Sequence, residues 1–278
     1  MHKKLLLIMS MFFLISGGSP KELVPVTEAN HTVVPTIELF SDSNAYKNPD
    51  GPTITKRFEL STPLKLQSIA YLNHAFYAGF DSPNDQIIVY KYDEEGEELG
   101  HTQTLPIIHG ASISADSANH HLYITNGGGM NPTQVYEVQF PQKQIIKRLN
   151  LSKLGHSGLS TVDVAHSRLW IETSPNDHGR QTFTYCDFNG HVLEQFTIPN
   201  QGVPQGLDFS HNRIYLYTNN RITVMSTDGK ILRHLKINEP GESEGMVILP
   251  SGDILVGYSV KKAQGHYLNQ IYEIKGFR

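Results

Sequence analysis

Five polar residues recur at one position of a repeating pattern, each directly before a short β-type run that begins with a small residue. They are Gln67, His109, Ser157, Gln205 and Glu244. Carboxylate, imidazole and carboxamide groups that converge in a concavity can bind a polar ligand or hold a cation. Glu244 and His109 are candidate metal ligands, and oxygen-rich coordination completed by the two glutamines favours Ca²⁺ over Zn²⁺. A solvent-exposed surface tolerates the same residues, so two interpretations stay open, a functional ring and a merely solvated one.

These five residues belong to five copies of one unit, because successive members lie 42, 48, 48 and 39 residues apart. A period of this length indicates a repeat architecture. Each copy contains an inner run a, which starts at the small residue, followed by runs b and c of alternating apolar residues. The b runs are 76–79, 122–125, 169–172, 214–217 and 254–257, and the c runs are 86–90, 134–138, 181–185, 221–225 and 270–274.

The turn signals Asn189-Gly190 and Asp228-Gly229 lead from run c into a fourth run, d, at 192–198 and 231–237. Four antiparallel strands per unit, with no amphipathic helix, predict an all-β fold, a five-bladed β-propeller. The last copy ends without a run d, whereas residues 54–60 precede the first run a without a partner. We predict that this N-terminal strand completes the last blade and closes the ring. A β-sandwich or an open solenoid does not explain this pair of complementary ends.

In an a-b-c-d meander, the start of strand a and the loop between strands b and c lie at the same end of the sheet. The five polar residues should therefore surround the mouth of the central channel, together with the b–c loops 81–85, 127–132 and 174–179. The other end carries mostly tight turns. Since loops on a rigid scaffold usually carry the binding groups, we predict that the b–c face is the functional one.

The first residues predict export. Lys3 and Lys4 precede an apolar run at 5–15, and small residues follow at 16–18. This is typical of a secretory signal peptide, which we assign to residues 1–18. The run is shorter than the roughly 20 residues that span a bilayer, so we expect no transmembrane span in the mature chain. Residues 19–52 are a predicted linker with at most one short strand at 33–40, and residues 53–278 form the propeller.

Composition excludes several function classes. With 27 Asp+Glu against 23 Lys+Arg, the formal charge of −4 provides no basic patch for nucleic acid. The single cysteine, Cys186, excludes an intramolecular disulfide and a cysteine-based zinc cluster. No serine-hydrolase elbow, His-Glu-x-x-His motif or P-loop is present, and the Gly127-Gly128-Gly129 run precedes no helix. Cys186 and Trp170 fall on predicted strands, where core packing is expected. These absences favour binding over catalysis.

Three stretches resemble the C-terminal end of the helveticin J family of large bacteriocins: 241–248, 254–259 and 269–274. The segments 204–208, 213–216, 109–111 and 122–124 are similar to that family's inner and second strands. The resemblance implies a secreted antibacterial protein that binds a cell-envelope component, such as a polysaccharide, of target bacteria. The Gln-Gly and Glu-Gly pairs before inner strands also resemble secreted lactonase and strictosidine-synthase-like propellers, in which the glutamate corresponding to Glu244 can be a metal ligand.

Three functions therefore remain open. The first is a secreted bacteriocin-like protein, extracellular or associated with the cell wall, that binds the envelope through the b–c face. The second is a metal-dependent hydrolase of lactonase or glycan-active type, centred on Glu244, His109 and Gln205. The third is a non-catalytic envelope-binding scaffold, because propellers support many functions.

Overall fold

The protein is described by a computed structural model that covers the backbone of residues 37–39 and residues 51–140, 142–156, 158–174 and 179–277. The described residues form antiparallel strands arranged in five sheets, with short 3-10 turns at Ser152–Leu154, Val164–His166 and Ala263–Gly265. Within the part of the chain that the structure describes, no helix is long and apolar enough to cross a membrane.

Two strands precede the first repeat: β1 (Ile37–Leu39) and β2 (Thr53–Leu60). The first blade contains β3 (Lys65–Leu72), β4 (Ala75–Asp81), β5 (Gln86–Tyr92), β6 (Glu98–His101) and β7 (Leu105–Ile108). The second contains β8 (Gly110–Asp116), β9 (His121–Asn126), β10 (Gln134–Gln139) and β11 (Gln144–Asn150). The third contains β12 (Leu159–Asp163), β13 (Arg168–Thr173), β14 (Gln181–Asp187) and β15 (Val192–Ile198). The fourth contains β16 (Pro204–Ser210), β17 (Arg213–Thr218), β18 (Arg221–Ser226) and β19 (Ile231–Lys236), and the last contains β20 (Glu242–Ile248), β21 (Ile254–Lys261) and β22 (Tyr267–Lys275).

The innermost strands form a closed ring. Strands β3, β8, β12, β16 and β20 contact one another in that order, and β20 contacts β3 in turn. Within each sheet the first three strands follow the chain outward from the inner strand, whereas β1 and β2 are added at outer edges and β7 pairs with β5. The prediction of a five-bladed β-propeller is therefore confirmed, with each repeat forming one blade.

The last blade contains a strand from the N-terminal side of the domain. Its sheet order is β2-β22-β21-β20, in which Ile54 of β2 is the Cα partner of Ile274. The link between β2 and β3 is also bonded to this blade, since the buried Asn269 donates to the Thr62 carbonyl at 3.0 Å and the Leu64 carbonyl at 2.8 Å. Asn269 also accepts from Leu66 N at 3.1 Å.

Crowding of the inner strands explains the small residues with which they begin. A Cβ atom at Gly206 would lie 2.8 Å from Met246 N on the next blade. At Gly245 it would lie 2.8 Å from Ser68 Cα, and the φ angle of +68° is itself one that glycine favours. Backbone therefore approaches backbone at these positions, and no larger residue fits.

The core lies between neighbouring blades. Trp170 is buried and stacks on Tyr185 with ring centroids 4.5 Å apart, and Cys186 is buried in the adjoining cluster. Burial raises the pKa of the Cys186 thiol to about 12, which suppresses the reactive thiolate. Both residues have the packing role that the sequence predicted.

The short strand expected within residues 33–40 is β1, which pairs with β19 as an added outer strand of the fourth sheet. The predicted signal peptide at 1–18 and the rest of the linker up to residue 50 lie outside the described residues.

Candidate functional site

Irregular pairing marks the inner strands β3, β8, β16 and β20 near the start of run a. In β3 the ladder shifts between Leu66 and Ser68, and in β16 it shifts between Pro204 and Gly206. Gln67 and Gln205 are therefore the extra residues of β-bulges, which redirect side chains relative to a regular strand. The strands continue through these bulges. β3, β16 and β20 therefore begin before their polar residue, whereas the sequence pattern had predicted that each strand begins after it.

One cavity of about 220 Å³ opens at this end of the channel. Four of the five sequence-predicted residues line it, and the fifth, Ser157, lies outside the described residues. We call this the mouth cavity; its lining comprises Lys65, Gln67, His109, Ala111, Gly128, Gly129, Leu159, Ser174, Val203, Pro204, Gln205, Glu242 and Glu244. Residues of the b–c loops and of the inner strands thus share one face, where the meander argument located them.

Lys65 joins two carboxylates at the mouth cavity. Its Nζ lies 2.9 Å from Glu244 Oε1 and 2.9 Å from Glu242 Oε2. Glu244 is only 1% exposed, and burial raises its pKa well above the usual value, although Lys65 opposes this effect. Burial would lower the pKa of Lys65, but Glu244 and Glu242 together raise it above its usual value. The buried carboxylate is therefore compensated by a charged lysine.

The two glutamines differ in their bonding. Gln205 Nε2 donates to Asn219 Oδ1 at 3.3 Å on the rim. Gln67 is 4% exposed, and its Nε2 has no hydrogen-bond partner among the described residues. A buried amide donor without a partner costs about 1–3 kcal/mol unless a ligand or water accepts its hydrogen bond.

His109 lies between two aspartates rather than beside Glu244. Its Nδ1 is 3.3 Å from Asp81 Oδ2 and 3.3 Å from Asp85 Oδ1. The hydrogen bond to Asp81 raises the pKa of His109, against the opposing effect of burial. Both His109, with φ of 45°, and Asp85, with φ of 56°, have left-handed backbone conformations. The backbone also joins them, since His109 N donates to the Asp85 carbonyl at 2.8 Å.

A second buried carboxyl group lies next to the cavity. Glu172 is fully buried, and Ser174, which lines the mouth cavity, donates from Oγ to Glu172 Oε1 at 2.6 Å. Burial raises the pKa of Glu172 to about 8. The carboxyl group is therefore mostly protonated at neutral pH.

Sequence reasoning did not single out Lys65 or Glu242, and it named Asp81 and Asp85 only as the ends of the b–c loop 81–85. Strand spacing offered a signal for Lys65 and Glu242, because each lies two residues before a polar residue already singled out. Asp208, on the inner strand β16, does not line the cavity.

No family model matches the sequence, and no curated protein matches it. Among solved structures, the chain is similar to one in the crystal structure of a nidogen/laminin complex at 12% identity and a TM-score of 0.51, covering 70% of this chain and 73% of that one. A gluconolactonase from Xanthomonas campestris aligns at 10% identity and a TM-score of 0.48, over 80% of this chain and 90% of that chain. Hydrazine synthase from Kuenenia stuttgartiensis aligns at 14% identity and a TM-score of 0.47, over 77% and 64%. At these identities the likeness concerns the fold alone.

Proposed function

We propose that this protein is an exported, bacteriocin-like binding protein whose mouth cavity takes a hydroxyl-rich group of a bacterial cell-envelope polysaccharide. One observation carries the proposal: separate repeats contribute Gln67, His109, Gln205 and Glu244 to a single concavity. Convergent polar groups in a concave site are the usual mark of ligand binding. The resemblance of the sequence to bacteriocins supports the choice of an envelope target.

The groups that line the cavity favour a polar ligand that both donates and accepts hydrogen bonds. Lys65 bridges Glu244 and Glu242 and offsets part of their charge, and the remaining carboxylate oxygens can act as hydrogen-bond acceptors. The amide of Gln67 supplies a buried donor. A sugar hydroxyl both donates and accepts, and it can therefore bond to both kinds of group.

The size of the cavity limits what enters it. A volume of about 220 Å³ is below the roughly 300–1,000 Å³ of pockets for drug-sized ligands. We infer that one sugar unit or a similar small group occupies the mouth cavity, and that the rest of the polymer lies across the b–c loops.

Binding to purified cell-wall polysaccharide tests this proposal. The double variant Glu244→Gln plus Gln67→Ala should weaken binding at least tenfold. Glu95→Gln is the matched control, because this exposed glutamate lies on the turn between β5 and β6 at the opposite end of the first blade. Equal affinity of wild type and double variant, both folded, would contradict the proposal. A killing assay on related bacteria then separates a bacteriocin from a scaffold that binds without killing.

A lactonase-like or glycan-active hydrolase is the second candidate. The grouping of Glu242, Glu244 and His109 around one cavity favours it, because paired carboxylates and an imidazole can act as general acids and bases. Turnover of lactones or of the bound polysaccharide, abolished by Glu244→Gln, would favour the hydrolase over the binding protein. Binding without turnover would exclude it for the substrates used.

Export has its own test. Residues 1–20 fused to a reporter should direct it out of a bacterial cell, with cleavage near Gly18. Retention of the uncleaved fusion in the cytoplasm would contradict secretion.

A further inference from the structure

We propose that Asp81, Asp85 and His109 bind a divalent metal ion of the zinc class at the edge of the mouth cavity. The three residues come from the end of β4, the loop that follows it, and the residue before β8. They meet because β7, the strand just before His109, pairs with β5 in the first blade, where Gln86 is the Cα partner of Ile108. Each offers one ligand atom, and the three atoms all lie within 4.8 Å of one another.

The distances fit a shared ion. Two ligands about 2.1 Å from a metal ion and separated by the tetrahedral angle lie about 3.4 Å apart. His109 Nδ1 is 3.3 Å from the nearer oxygen of each aspartate. The observed spacing thus leaves the gap that an ion between the three atoms requires.

Other histidine–carboxylate pairs in this chain provide an internal comparison. His121–Glu137 measures 2.6 Å, His166–Asp163 and His101–Glu98 each measure 2.8 Å, and His191–Asp187 measures 3.0 Å. These four are ordinary hydrogen-bond distances between one imidazole and one carboxylate. His74–Glu94, between two exposed side chains, is longer at 3.7 Å. His109 instead faces two carboxylates, at a distance too long for a strong bond to either.

Two buried polar atoms point independently to a ligand here. Asp81 Oδ1 is buried and has no hydrogen-bond partner among the described residues. The amide Nε2 of Gln67, which is 96% buried, likewise lacks a partner and lines the same cavity as His109. A bound ion would contact the Asp81 carboxylate. A further oxygen ligand of that ion, lying in the cavity, would accept a hydrogen bond from Gln67 Nε2.

The donor set selects the kind of ion. An imidazole with two carboxylates suits Zn²⁺ or Mn²⁺, whereas Ca²⁺ is bound by six to eight oxygens. The sequence-based expectation of Ca²⁺ depended on Glu244 as a ligand. In the structure, Glu244 Oε1 is paired with Lys65 instead. Three protein ligands leave a fourth position open to water or to a ligand in the cavity.

Calorimetric titration of the EDTA-treated full chain with ZnCl₂ tests the inference. Wild type should bind one equivalent, and Zn²⁺ should raise its melting temperature. His109→Gln and Asp85→Asn should each weaken binding at least tenfold. Asp85 is 58% exposed, so its substitution should leave the fold intact, as circular dichroism will verify. His121→Gln, which disrupts an ordinary pair, is the matched control and should titrate like wild type.

Absence of saturable uptake by folded wild type would overturn the metal site. Unchanged affinity in both His109→Gln and Asp85→Asn would do the same, and tighter binding of CaCl₂ than of ZnCl₂ would overturn the metal class. Polysaccharide binding is measured separately on the EDTA-treated protein. Retained polysaccharide binding without Zn²⁺ uptake rejects only this inference, whereas Zn²⁺ uptake without polysaccharide binding rejects only the proposed function.

Discussion

Two carboxylates on neighbouring inner strands, the buried Glu244 and the partly buried Asp208, have opposite roles. Glu244 on β20 lines the mouth cavity and is paired with one lysine. Asp208 on β16 lies three residues further along its strand than Gln205, away from the cavity lining. The two residues share a charge and an inner-strand position, but their partners differ.

Asp208 connects three inner strands. Its Oδ1 accepts from Thr161 Oγ1 at 3.0 Å and from Phe209 N at 2.8 Å, and its Oδ2 accepts from Ile248 N at 2.6 Å. Strands β12, β16 and β20 are thereby joined through one side chain. Burial raises the pKa of Asp208 to about 6, although these three donors act to lower it.

The comparison shows that burial of a carboxylate does not by itself indicate a functional site. At Asp208 both oxygens are used within the fold, so little capacity remains for a ligand. At Glu244 the partner is a lysine side chain that itself lines the cavity. The direction in which the partners face, toward the fold or toward a cavity, distinguishes the two roles.

The largest expected effect comes from breaking the ring that holds both carboxylates. Deleting the chain through Leu60 removes β2, exposes the edge of β22, and removes one side of the last blade. We expect aggregation or loss of cooperative unfolding, measured by size-exclusion chromatography and thermal melting. A truncated protein that stays soluble with an unchanged melting temperature would show that β2 is dispensable.

A second prediction extends the comparison to Glu172. Its pKa in the folded protein, about 8, lies above its ordinary value of 4.5. The folded state therefore favours the protonated carboxyl group, and the stability that this preference contributes is present below pH 4.5 and is lost as the pH rises through 8. Glu172→Gln imitates the protonated form. Relative to this variant, wild type should lose about 5 kcal/mol of unfolding free energy between about pH 4 and pH 9. Urea denaturation across this range measures the difference. Parallel stability curves would mean that Glu172 ionises normally.

Asp208→Ala should cost about 4 kcal/mol, because it leaves three partly buried donors without their acceptor at about 1–3 kcal/mol each. Polysaccharide affinity of the folded variant should stay unchanged. Thr161→Val removes only one of the three bonds and should cost about 1 kcal/mol. A loss of binding in Asp208→Ala at unchanged stability would assign this carboxylate to the site instead.

The last prediction concerns Lys65. Lys65→Met removes the partner of the buried Glu244 carboxylate and should cost about 3 kcal/mol. The double variant with Glu244→Gln should recover most of this loss, since no uncompensated charge remains. The interaction energy from a double-mutant cycle, measured in urea, checks the coupling. Additive losses would show that the two side chains do not interact in solution.

Much of the fold follows from the sequence because its signals are local and repeated. Alternating apolar runs specify strands, turn residues specify hairpins, and the 39-to-48-residue period specifies blades. The meander then fixes which end of each strand meets the channel. The sequence pattern therefore assigns Gln67, His109, Gln205 and Glu244 to one mouth of the central channel.

The partners of these residues required the tertiary structure. Lys65 meets Glu244 because the first and last blades adjoin, and His109 meets Asp81 because β7, which precedes His109, pairs with β5 in the first blade. Such contacts depend on the closing of the ring and on bulges that redirect side chains by one position, and neither is encoded in a local pattern. The sequence placed four polar residues at the mouth; the packing of the five blades added Lys65 and Glu242 and decided which side chains bind one another, because charge pairing acts through space rather than along the chain.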